Sequence, residues 1–129
     1  MNDEIRLTIP HDRALYSVAH LVVGGLGIRL KLTIEHLEDL QLALDAVLER
    51  TRAGEDVTIK VRVRDGEIQT AIGPLREGVR EELELEATDG EDVGLRRILD
   101  TVVDRVELEP GEDGDGDWVT LTKAVGSSN

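Results

Sequence analysis

The chain predicts an α+β fold, a two-layer α/β sandwich with a mostly antiparallel sheet and helices on one face. Three observations lead there. Several short segments alternate in polarity, which gives a sheet one wet face and one covered face. Other stretches repeat their apolar residues at helical spacing. The elements follow in the order β-α-α-β-β-α-β-β, which layers helices onto a sheet. Three helices are expected on the covered side.

Each element has its own warrant in the sequence. Glu4-Ile5-Arg6-Leu7-Thr8-Ile9 alternates as a half-buried strand, and Pro10 ends it. Asp12 suits a helix N-cap, and Leu15, Val18, Ala19, Val22 and Leu26 then fall at helical spacing. Gly24, Gly25 and Gly27 weaken the end of that helix, each by about 1 kcal/mol relative to Ala. Thr33 opens a second helix with the apolar stripe Ile34, Leu37, Leu40, Leu44, Val47 and Leu48. Glu35, Glu38, Asp45 and Arg52 face out, and Gly54 closes it.

Residues 57–64 show strict alternation, Asp65-Gly66 is a favoured hairpin turn, and residues 67–72 return. Between Gly73 and Asp92 lie glycines, Pro74 and a run of acids. Leu75, Val79 and Leu83 allow a short helix there, with Arg80 and Glu84 as an i,i+4 pair, and the remainder reads as mobile. A helix follows from about Gly94, with Leu95, Ile98, Leu99 and Val102 inward. Residues 103–109 turn into a strand, residues 111–117 form a loop, and residues 118–123 are the last strand. A single domain over residues 1–125 and a frayed tail over 126–129 are expected.

The element order, the second helix and the closing strand Trp118-Val119-Thr120-Leu121-Thr122-Lys123 resemble the anti-sigma-factor serine kinases of the histidine-kinase-like (GHKL) ATPase superfamily. The resemblance runs from about Ile5 to Lys123 and rests on architecture and spacing. It implies three nucleotide boxes. On the second helix the family carries a Glu base and, four residues on, an Asn that holds magnesium. Here those positions fall on Ala46 and Arg50. After the returning strand the family has an Asp that binds adenine, where this chain has Gly73 in Ile72-Gly73-Pro74-Leu75-Arg76. Of the glycine-rich helix start that cradles phosphates, Asp92-Val93-Gly94-Leu95-Arg96-Arg97 keeps Gly94.

Ala46 cannot accept a proton, Arg50 repels a metal ion, and Gly73 offers adenine no side-chain acceptor. Losing a general base typically costs about 10²–10⁴-fold in rate. The expectation is therefore a vestigial nucleotide pocket at Ala46, Arg50, Gly73 and Gly94, with no catalytic residue, no metal and no cofactor. A cation in the last turns of a helix interacts well with the dipole, which alone can account for Arg50; its functional readings are filling the vacated pocket by pairing with a carboxylate and, ranked below that, gripping a bare phosphate without metal. Asp45 and Glu49 share a helix face and mimic a base and a metal ligand, but Leu44, Val47 and Leu48 claim the inward side. They read as solvated.

The function implied by the resemblance is partner switching: capture of a sigma factor or an anti-sigma antagonist. In the family, the surface near the first helix and the nucleotide lid makes such contacts, often in a homodimer. Residues 76–92 are the candidate contact segment or flap. One alternative is a weak serine/threonine kinase using ATP with magnesium. Another is a structural homo-oligomeric module that dimerises through a sheet edge or the Gly-rich first helix.

Composition narrows the rest. The net charge of −13 repels nucleic acid and steers in basic proteins. Aromatic residues make up only 2% of the chain, so the core is aliphatic and stacking platforms for bases are not expected. There is no Cys, which removes disulfides and thiolate chemistry and fits the cytoplasm. The acidic start Met1-Asn2-Asp3-Glu4 does not read as a signal peptide, and residues 21–28 are too short to cross a membrane. Asp113, Asp115 and Asp117 begin like a calcium loop, but its required Gly and closing acid are replaced by Trp118 and Ala124. Gly24-Gly25-Leu26-Gly27 follows a helix and lacks the lysine of a phosphate loop. His11, His20 and His36 show no ligand spacing.

Overall fold

Alternating segments become strands and periodic segments become helices. The structure, a computed structural model, describes residues 3–29, 32–52, 54–84, 94–111 and 116–124. In chain order the elements are β1 (Asp3–Pro10), a 3-10 turn (Arg13–Leu15), α1 (Tyr16–Arg29) and α2 (Ile34–Leu48). Then come β2 (Asp56–Arg64), β3 (Glu67–Gly73), α3 (Val79–Glu84), α4 (Leu95–Val102), β4 (Arg105–Pro110) and β5 (Asp117–Ala124). The expected tail at 126–129, and Asp113 and Asp115 of the calcium-like loop, lie outside the described residues.

The five strands form one sheet in the order β1-β2-β3-β5-β4, antiparallel throughout. Both edge strands end in proline, Pro10 and Pro110, which has no N–H to offer an intruding strand. The β2–β3 hairpin turns on Asp65 (φ 47°) and Gly66 (φ 77°). Two successive positive φ values are what a two-residue turn matched to strand twist requires.

Register sorts the side chains by face. Towards the helices, one row runs Leu7, Ile59, Ile72, Val119, Leu108. The next runs Ile5, Val61, Thr70, Leu121, Val106. Helices α2 and α4 answer with Leu40, Ala43, Leu44, Val47, Leu48, Leu95 and Leu99, all buried. Each of the leucines and Val47 contributes about 1.5–3 kcal/mol by leaving water.

Four helices form on the helical side, the three expected and the short α3 that the spacing of Val79 and Leu83 allowed. Two features differ from expectation. The first helix continues past Gly24, Gly25 and Gly27 to Arg29, because Ala19, Val23 and Gly27 pack inward. Ile34 stands 75% exposed, since the inward stripe of α2 is completed by Ala43 and Ala46 rather than by its first residue. Thr33 does cap α2, accepting a hydrogen bond from the His36 N–H at 3.0 Å.

Candidate functional site

The C-terminal half of α2 carries the first two candidate residues. Ala46 is buried, one turn before Arg50. The Arg50 side chain is only 18% exposed. It donates from Nη1 to the Ala46 carbonyl at 2.7 Å and from Nε to Glu82 Oε1 of α3 at 3.1 Å. A charged donor with two such partners is strongly held. Further charges extend the arrangement. Arg76 Nη2 lies 3.8 Å from Glu82, and Glu49 lies 3.9 Å from Arg50 while accepting from Arg13 at 2.8 Å.

The chain leaving β3 is laced to this helix end. The Arg76 N–H donates to the Arg50 carbonyl at 2.9 Å, and Thr51 bridges Leu75. Helix α3 is then fixed from both sides. Val79 and Leu83 are buried. Arg80 makes a two-pronged pair with Asp117, Nε to Oδ2 at 3.2 Å and Nη2 to Oδ1 at 2.9 Å. The Arg80 guanidinium holds the Asp117 carboxyl below its ordinary pKa, and Asp117 in turn raises that of Arg80. The expected Arg80–Glu84 pair thus gives way to Arg80–Asp117, and residues 79–84 of the segment read as mobile are anchored. Residues 85–92 lie outside the described residues.

Gly73 and Gly94 are placed differently. Gly73 ends β3 with its hydrogen-for-side-chain position on the open face of the sheet. A Cβ there would sit 2.5 Å from Trp118 Cδ2, so the glycine is required for the indole to lie across it. Gly94 is the N-cap of α4, without a side-chain cap. Ala46, Arg50 and the backbone after Gly73 therefore come together, while the side position of Gly73 points to the opposite face.

Asp45 and Glu49 are half-exposed and turn towards the preceding segment. Asp45 Oδ1 lies 2.6 Å from His20 Nε2 of α1. His11 stands edge-on to Tyr16 with ring centroids 6.3 Å apart. Burial and the neighbouring Glu49 charge raise the pKa of Tyr16, whose hydroxyl donates to the Leu48 carbonyl at 3.0 Å.

Two surfaces were not legible in the sequence. On the outside of the helical layer Leu21 (75%), Ile28 (80%) and Ile34 (75%) are exposed, and Leu42 is also open to solvent. On the open sheet face a depression of ≈ 300 Å³ is lined by Arg6, Lys60, Ala71, Thr120, Trp118 and Glu109. Lys60 Nζ stands 5.0 Å from the Trp118 ring centroid, within cation–π reach. Among the described residues no helix is long and apolar enough to cross a membrane. Neither a protein-family model nor a curated protein sequence matches this chain.

Proposed function

We propose that the chain is a partner-switching regulator on a GHKL-type frame, acting by protein binding with its nucleotide cleft filled from within. The observation that carries this reading is Arg50, which spans from the Ala46 carbonyl to the Glu82 carboxylate. In the resemblance, those helix positions would serve a base and a metal ligand. Here a guanidinium occupies the space and pairs with Glu82, with Glu49 3.9 Å away, so a magnesium ion meets a cation instead of a ligand. Asp45, the remaining acidic candidate for a kinase reaction, turns away to His20 on the far side of α2.

The binding surface we assign is the outer face of α1 and α2. Leu21, Ile28, Ile34 and Leu42 are exposed there, with the acidic Glu35 and Glu38 beside them. An apolar patch with an acidic rim suits an amphipathic, basic helix of a sigma factor or an anti-sigma antagonist.

Thermal melting with and without magnesium ATP tests the cleft. A ligand present at 100 times its dissociation constant adds about 2.7 kcal/mol of stability. The expected outcome is an unchanged melting temperature at millimolar nucleotide, and a clear rise would sink the reading. Titration against purified sigma factors and antagonists of the same cell tests the surface. Wild type is expected to bind one of them, and Leu21→Asp with Ile28→Asp to lose that binding while melting normally.

A further inference from the structure

We propose that the open face of the sheet carries a binding site for a small monoanionic organic acid with a flat apolar body, in its simplest form an aromatic carboxylate. The site is the depression of ≈ 300 Å³ beside Trp118. Ligand clefts run up to about 1,000 Å³, so this one takes a molecule of about one ring and no polymer. Strand register builds it. One row across the open face reads Arg6, Lys60, Ala71, Thr120, Glu107. Ala71 and Thr120 are short and leave the middle of that row low. In the neighbouring row Gly73 has no side chain, and the Trp118 indole settles into the space a Cβ would take.

The cations select the head group. Arg6 and Lys60 are direct cross-strand partners, a position in which like charges repel. Among the described residues Arg6 is exposed and makes no ion pair, whereas Arg62 on the same pair of strands is taken by Glu4 at 2.9 Å. Lys60 leans along the sheet until its Nζ stands 5.0 Å from the Trp118 ring centroid, which holds the ammonium over the depression. A carboxylate seated between the two relieves their repulsion and accepts the planar fork of the guanidinium. The charged groups lining the depression are Arg6, Lys60 and Glu109, two cations against one carboxylate. A single negative charge balances them. A dianionic phosphate overshoots, beside Glu109 and on a chain of net charge −13.

The other end of the depression selects the body. Trp118, Pro74 and Pro110 line it with apolar surface. The Trp118 row lies two residues along the strands from the Arg6 row, about 7 Å. One aromatic ring bearing a carboxylate spans that distance, with its head on Arg6 and Lys60 and its ring against the indole. The Thr120 hydroxyl, at the floor between them, is a donor for the second carboxylate oxygen. This face lies on the side of the sheet away from the helices, so the site shares nothing with Arg50 or with the exposed apolar surface of α1 and α2.

Titration of the full chain with benzoate tests the proposal. Benzamide serves as the uncharged counterpart, and phenyl phosphate as the dianion at about pH 8. Trp118 is the sole tryptophan, so its emission reports occupancy, and amide proton–nitrogen spectra locate it. Benzoate is expected to saturate with a Kd of about 1 mM, as befits so small a ligand, and to move the amides of Lys60, Ala71 and Thr120. Benzamide and phenyl phosphate are expected to bind about tenfold more weakly or worse. Arg6→Gln should weaken benzoate by about tenfold, and Glu109→Gln should bring phenyl phosphate close to benzoate, with circular dichroism checking that each variant folds. Four results would each overturn the site: no saturation by about 10 mM, benzamide or phenyl phosphate matching benzoate on the wild type, amide shifts confined to another surface, or a folded Arg6→Gln that binds as wild type does. None of these outcomes depends on nucleotide or on a sigma-like partner, so the partner-binding reading stands or falls separately.

Discussion

Gly73 shows how one missing side chain sets both faces of the sheet. The indole of Trp118 lies where a Cβ would be, 2.5 Å away, closer than packed carbons tolerate. Gly73→Ala is therefore expected to cost about 1–3 kcal/mol through overpacking and to shift the Trp118 emission, measured together in one urea titration. At Asp117 the pairing with Arg80 depresses the carboxyl pKa. A depressed folded-state value contributes stability that is complete above the unfolded value of about 3.9 and is lost as pH falls through the folded one. Asp117→Asn is thus expected to melt below wild type at pH 7, with the gap closing under about pH 4. A gap that persists in acid would show that the ion pair is not its cause.

Among the described elements, α3 is the shortest α-helix, and its stability comes from its neighbours. Six residues make a helix too short to persist alone. It is held by Val79 and Leu83 against the core and by Glu82 and Arg80 to α2 and β5. Glu82→Ala removes the carboxylate from Arg50, which is mostly buried. The expected loss is about 1 kcal/mol, with faster amide exchange confined to α3; exchange rates unchanged there would contradict this anchoring. By contrast α2 was legible beforehand. Its cap at Thr33 and its stripe from Leu40 to Leu48 are local signals, and local signals survive folding. Ile34 misled because periodicity marks a face without saying how far the neighbouring layer extends.

For the whole molecule, alternation in the strands announced a covered face and a wet face, and the five-stranded antiparallel sheet under a helical layer has both. The partners of individual charges were not legible. Pairing with a carboxylate is one of the sequence readings of Arg50, but the partner, Glu82, is 32 residues away, and only the path of β3 back past the end of α2 brings it near. Arg80 was given a partner on its own helix and takes Asp117 instead, because α3 is tied beside the start of β5. The same holds for the sheet's outer face: a list of residues contains Arg6 and Glu107 but not their row.

The amino-acid sequence by itself determined the element types, the hairpin at Asp65-Gly66, the aliphatic core and the acidic charge, since each depends on neighbours within a few positions or on composition alone. Strand order, the Arg50–Glu82 closure and the charge rows of the open face were decided only by tertiary structure. They depend on contacts between residues distant in the chain, and such contacts exist only once the sheet register has set which side chains share a row.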